Sequence, residues 1–267
     1  KETTGKFAFQ AAAWRLAKMH TVQLTHVYRT SDPTLLDAQR AIREGRADDA
    51  AVRTLVERTS RPLEERADGI VPTEIMPLKR AVEVANLDAL YTLDKATAHT
   101  YDATDHVRPV RAETASWLKG DGFFKSDCPA VGKLELRLGA QVMLLRNESK
   151  DVGTLVNGSR GIVTGFAAAP PGYDGGEYVV NQVSFDEYVA PGTTASATEY
   201  PIVKFVSGET RLVTPHEFVK DVYGKGGCVR FQLPLALASA ITVHKTQGAT
   251  LDCVRVDLAG TFCDGQA

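Results

Sequence analysis

No two cysteines in the chain have metal-ligand spacing. The four, Cys128, Cys228, Cys253 and Cys263, are scattered, with no Cys-x-x-Cys pair and no histidine at ligand distance in sequence. That argues against a structural zinc and for a reducing compartment. No apolar run approaches the length of a membrane span, and the opening residues KETTGKFAFQ lack the basic-then-apolar plan of a signal peptide. Excess positive charge is missing too: 31 Lys and Arg against 33 Asp and Glu leave a net charge of −2. Bulk attraction therefore does not announce a nucleic-acid binder, although a narrow single-strand track needs only a few placed cations and stacking groups. There is no G-x-x-x-x-G-K-[ST] loop, no defensible acidic metal-binding pair after a strand, no internal repeat and no heptad array.

What is present, 43% apolar residues in a chain of 267, suffices for a soluble globular protein of one or two domains with a real core. The chain opens on Lys1, and Phe7 and Phe9 read as mid-strand. It is therefore expected to be a piece of something longer.

The most informative stretch is ITVHKTQG, Ile241 to Gly248, between an apolar run (Leu233 to Ala240) and an alternating one (Val254, Val256, Leu258). An apolar segment leading into His, Lys, Thr, Gln and Gly and back into a strand describes a polar loop at the edge of a buried sheet, where ligands of open α/β folds sit. For any single residue a capped turn is the safer reading; the order of all eight is more specific.

Upstream, Ala11 to Ala17 reads as helical and LTHVYR as a short buried strand through Leu24, Val27 and Tyr28. Arg29 ends that strand, placed either to reach a phosphate across a cleft or to make an ordinary surface ion pair. Ser31-Asp32-Pro33 is a cap-and-proline start for a helix through Arg43 that stops at Gly45, and a second helix follows over Asp48 to Arg58. Ile70 to Leu78 reads as a strand broken by prolines and Lys79 to Leu90 as a helix with Val82, Ala85, Leu87 and Leu90 on its apolar face. Lys79, Arg80 and Asn86 either touch a nucleic-acid backbone or only solvate the helix. Ala96 to Tyr101 reads as a strand, and Asp102 to Pro129 has no clear periodicity. From Lys133 strands dominate: Leu134, Leu136 and Leu138 alternate, Val142 to Leu145 is buried, and turns are signalled at Asn157-Gly158 and Ser207-Gly208. Short strands on tight turns predict a small β-barrel, inserted into the larger α/β unit and carrying loop insertions from Ala167 to Ala197.

LRLGAQVMLLRN (Leu136 to Asn147), LVNGSRGIVTGF (Leu155 to Phe166), QLPLALASAITVHKTQGATLDCVRVDL (Gln232 to Leu258) and the final GQA resemble the C-terminal half of the Pif (petite integration frequency) family of DNA helicases, superfamily-one motors related to RecD. LTHVYRTSDPTLLDAQRAIREG (Leu24 to Gly45) resembles that family's motif IV region. The resemblance implies a second RecA-like domain with an inserted SH3-like β-barrel, divided as 1–148 and 230–267 for the RecA-like parts and 149–229 for the barrel. It also implies ATP-driven, five-prime-to-three-prime movement on single-stranded DNA, unwinding of forked or structured duplexes, and work in telomere maintenance, repair and recombination. By family position Arg29 resembles the motif IV arginine at the terminal phosphate of ATP. Ile241 to Gly248 resembles motif V, with Thr242, His244 and Lys245 toward DNA and Gln247 and Gly248 nearer the nucleotide. A barrel closing over the DNA adds Asn157 and Gly158.

Thr30 stands where the family usually has Gln. The phosphate loop, the Mg²⁺ ligands and motif VI are not in this chain, so it is expected to be inactive alone. The resemblance further implies a monomer, no membrane partner, and an intracellular site: nucleus or mitochondrion in a eukaryote, cytoplasm otherwise. Rival readings are a RecD-like or transposon-encoded helicase, or a non-catalytic nucleic-acid-binding or scaffold module derived from a degenerate motor.

Overall fold

The computed structural model describes residues 7–24, 26–27, 32–46, 49–59, 69–148, 155–169, 199–246, 251, 253–257 and 260–261. The chain divides into two compact units, Lys1–Arg61 and Pro62–Ala267.

The first unit is helical. A short α1 (Ala12–Leu16) precedes α2 (Pro33–Arg43) and α3 (Asp49–Thr59). Asp32 starts α2 by accepting the Leu35 N–H at 3.1 Å, Pro33 fits the first turn because it has no N–H to satisfy, and Arg58 ties α3 back to Asp32 at 2.5 Å. The helix stops as expected, with Gly45 at φ 69. The described residues of two expected strands are not in strands. Phe7 precedes and Phe9 lies within a 3-10 turn (Ala8–Gln10), both exposed, and Leu24 is 91% exposed, with neither it nor Val27 in a strand. Two or three alternating apolar residues make a strand only if a neighbour pairs with them, and among the described residues none does.

The second unit begins with β1 (Thr73–Met76), α4 (Lys79–Tyr91), β2 (His99–Asp102), β3 (Thr104–Pro109), α5 (Thr114–Lys119), β4 (Lys133–Leu136) and β5 (Gln141–Leu144). It continues through β6 (Arg160–Ala168), β7 (Glu199–Phe205), β8 (Thr210–Leu212), β9 (His216–Val222), β10 (Gly226–Gln232), β11 (Leu235–Leu237), β12 (Ala240–Thr242), α6 (Val243–Thr246) and β13 (Val254–Val256). A parallel sheet runs β12-β1-β13, and the remaining strands form antiparallel sheets ordered β11-β5-β6-β7-β8, β3-β10-β9 and β2-β4. Pro72 and Pro77 bound β1, as the broken strand predicts.

Every residue of β5 is buried because both of its faces are covered. Val142 and Leu144 join Leu136, Val163, Val203 and Leu235 in one core cluster, while Met143 joins Leu118, Phe218 and Cys228 in a second. A strand covered on both faces is apolar at consecutive positions, which explains the run Val142 to Leu145. Strand pairing also cuts across the expected division at 149 and 229. The sheet holding β6 to β8 takes β5 and β11 from outside those limits, and β10, which carries β9 on one side, pairs on the other with β3, within the segment that showed no periodicity.

Candidate nucleic-acid interface

Strands β1 and β12 run side by side in the same direction, with Ile75 opposite Ile241 and Met76 opposite Thr242. Both therefore end at one edge. Past that edge, β1 leads through Pro77 and Leu78 into the first residues of α4, Lys79 and Arg80, while β12 runs directly into α6, which carries His244 and Lys245. The carboxyl edge of parallel strands is where an open α/β sheet leaves a crevice.

Lys79, Arg80, His244 and Lys245 are exposed at this edge, and Thr242 is half-buried. Lys245 stands over enough protein to be partly desolvated. That burial first, and the nearby Lys79 charge second, lowers its pKa from the ordinary lysine value. The edge thus concentrates positive charge, with Glu83 a weak counterweight at 4.0 Å from Lys79 on an exposed helix surface. Within α6 the Thr246 hydroxyl donates to Val243 O at 2.6 Å, and the His244 and Lys245 side chains are exposed.

Asn86 does not belong to this surface. It is buried, and its amide is spent on the backbone of Ala240: Nδ2 donates to Ala240 O at 2.9 Å and Oδ1 accepts the Ala240 N–H at 2.8 Å. A DNA contact by Asn86 is corrected to a structural role on this geometry. Asn157 and Gly158 do form the expected turn, Gly158 with φ 96 and its N–H donating to Leu144 O at 2.9 Å, and the Asn157 N–H donating to Asn147 Oδ1 at 2.9 Å. The strand leaving that turn is tied to the other end of β1: Arg160 Nη1 donates to Thr73 Oγ1 at 2.7 Å, and Thr73 donates to Ala238 O at 3.1 Å. Three residues of strand, about 10 Å, separate Thr73 from Met76 at the carboxyl edge. Arg29, Gln247 and Gly248 lie outside the described residues.

The buried hub of Thr73, Arg160 and Asn86, which fixes the parallel sheet against its neighbours, escaped sequence reading. Nothing in its spacing marks it, because its partners are 87 and 154 residues away.

Residues 124–166 match the family model described as the DNA helicase Pif1 2B domain. The ATP-dependent DNA helicase PIF1 of Xenopus laevis is 34% identical over 262 residues, 98% of this chain and 35% of that protein. The chain belongs to the Pif1 helicase family. It spans about a third of the length of that curated relative. Among solved structures, the Pif1 helicase from Candida albicans superposes with a TM-score of 0.65 at 28% identity, covering 97% of this chain and 56% of that one. A Bacteroides Pif1 described as bound to ssDNA gives 0.54 at 25%, covering 98% and 51%. The Pif1 match assigns a RecA-like, mixed α/β architecture, consistent with the parallel sheet β12-β1-β13.

Proposed function

We propose that this chain is the C-terminal portion of an ATP-dependent, five-prime-to-three-prime DNA helicase, supplying one wall of the nucleotide cleft and part of the single-strand groove. The observation that carries the reading is the shared carboxyl edge of β1 and β12, which brings Lys79 close enough for Lys245 to feel its charge. Two ammonium groups held together, with Glu83 only an exposed partner of Lys79 at 4.0 Å, gain further from a polyanion. The relative bound to ssDNA supports the choice of a single strand as that polyanion.

In this reading Lys79, Arg80 and Lys245 contact phosphates, Thr242 and His244 contact the strand beside them, and Arg29, Gln247 and Gly248 face the nucleotide. ATP with Mg²⁺ supplies the phosphoryl-transfer energy, held chiefly by a phosphate-loop domain of the parent protein. This chain's part is to couple the cleft to the grip, because α6 stands between the Gln247-Gly248 end and β12. An SH3-like barrel is proposed for the sheet built on β5 to β8 and β11. A DNA role for Asn157 and Gly158 rests on that barrel and has the least support, since β6 is anchored at the start of β1. The parent is proposed to act inside the cell as a monomer on single-stranded and forked DNA.

Competition binding tests the reading. A labelled oligodeoxythymidylate should bind the chain in preference to a blunt duplex of equal length, and Lys245→Ala should weaken it without lowering the melting temperature. Equal affinity for both DNAs, or unchanged binding by the variant, contradicts it.

A further inference from the structure

The hairpin joining β9 to β10 ends in a tyrosine that touches almost nothing: Tyr223 is 103% exposed. The tip beneath it is rigidly held. Lys225 O accepts both the Val110 N–H at 2.9 Å and the Thr114 hydroxyl at 2.8 Å, and the Lys225 N–H donates to Val222 O at 3.0 Å. Gly226 has φ 126, and a Cβ there would lie 2.1 Å from Arg108 O, so the hairpin is pressed against the end of β3 as only glycine permits. Lys225 Nζ sits 3.2 Å from the centre of the Trp117 ring, whose side chain is nearly half exposed. Arg111 just before α5 and Lys119 at its end add exposed positive charge, against Glu113 and Asp221 in the same segments.

Burial cannot explain a fully exposed aromatic on a braced tip, and folding gains nothing from it. Aromatic faces interleaved with cations are what single-stranded nucleic acid uses: bases stack on the rings and phosphates meet the ammonium and guanidinium groups. We propose that the β9–β10 tip is a second single-strand contact, with Tyr223 stacking on a base and Lys225, steadied on Trp117, meeting the adjoining phosphate. This rests on the single-strand reading of the chain and extends it to a site separate from the β1–β12 edge. The exposed rings of Tyr223 and Trp117 set among Lys225, Arg111 and Lys119 suit a single strand, which offers both bases to stack and phosphates to pair, better than a protein surface.

Tyr223→Ala in the 267-residue chain tests this, read by fluorescence anisotropy with a labelled oligodeoxythymidylate and by thermal melting, beside Tyr223→Phe and Lys245→Ala. Loss of one base stack should weaken binding about five-fold or more. The melting temperature should not move, because Tyr223 packs on nothing, and Tyr223→Phe should bind within about two-fold of the unaltered chain, because its ring stacks equally well. Wild-type affinity in Tyr223→Ala, with binding weakened in Lys245→Ala, overturns the tip alone. An unaltered chain that binds no single strand overturns the tip together with the reading on which it rests.

Discussion

Asn86 reads the peptide of Ala240 as a neighbouring strand would. Its Nδ2 donates to the carbonyl at 2.9 Å while its Oδ1 accepts the N–H at 2.8 Å. Strand β12 pairs with β1 on its other side, so the amide closes an edge that would otherwise expose unpaired backbone groups. Helix α4 is thereby locked in register with the strand that delivers Thr242, His244 and Lys245.

Asn86→Ala should accordingly destabilise the chain by about 1–3 kcal/mol, the cost of leaving buried backbone groups unsatisfied. Asn86→Asp should also destabilise, because it keeps the acceptor but sets a carboxylate against the Ala240 carbonyl. Denaturant melts measure both. The folded fraction of Asn86→Ala should retain its single-strand affinity, which a direct DNA contact would not allow.

Arg230 makes a second prediction about stability. Its guanidinium forks onto Asp105 at 2.7 Å through both Nε and Nη2, and also donates to Ala130 O at 3.0 Å and Phe124 O at 2.9 Å. It thus binds β10, β3 and the turn before β4 into one body. Arg230→Met strands the two carbonyls and one carboxylate, and should cost about 3 kcal/mol by chemical denaturation. A change below about 0.5 kcal/mol would show that water replaces the fork.

The charge of Lys79 should depress the titration of Lys245. The Lys245 pKa is lowered by burial first and by Lys79 second, so Lys79→Ala should move it back up, partway toward the ordinary lysine value. A lysine with a lowered folded pKa binds fewer protons folded than unfolded. Its contribution therefore opposes folding below the folded pKa, and stability rises as pH climbs from there to the unfolded lysine value. Carbon-13 shifts of the Lys245 side chain across alkaline pH follow this directly, and an unchanged midpoint in Lys79→Ala would separate the two charges.

Hydrolysis should be absent from the chain alone. Phosphoryl transfer needs a phosphate-loop lysine, metal ligands and a cross-cleft arginine together, and the sequence holds no G-x-x-x-x-G-K-[ST]. In the parent protein, Arg29→Ala should lower turnover about 10³-fold or more while barely changing DNA affinity. His244→Ala should weaken single-strand binding and DNA-stimulated turnover together, leaving basal turnover intact. Turnover by the purified chain, or a fall in basal turnover in a stably folded His244→Ala, would contradict these assignments.

Local chemistry made much of this legible. Asp32-Pro33 and Gly45 bound a helix through capping and backbone preferences that act locally, prolines 72 and 77 bracket a strand, and Asn157-Gly158 and Ser207-Gly208 turn the chain, with Gly158 at φ 96 and Gly208 at φ 91. The segment from Asp102 to Pro129 was opaque for the opposite reason. Strand β3 is made by β10, more than a hundred residues away, and its exposed face leaves no alternation to read. At the candidate edge, the cations could be named from their order, but Asn86 could not be sorted from Lys79 and Arg80. A polar residue on a helix shows its burial only when its partner is known.

The central claim is that the carboxyl edge of β1 and β12 grips the phosphates of a single strand. The salt dependence of oligodeoxythymidylate binding tests it most directly. Each phosphate contact on a single strand contributes about 0.7 to the slope of log affinity against log salt concentration. Lys245→Ala should therefore lower both affinity and slope, the slope by roughly 0.7, at an unchanged melting temperature. A stably folded Lys245→Ala protein with the wild-type slope and affinity would remove this edge from the DNA path.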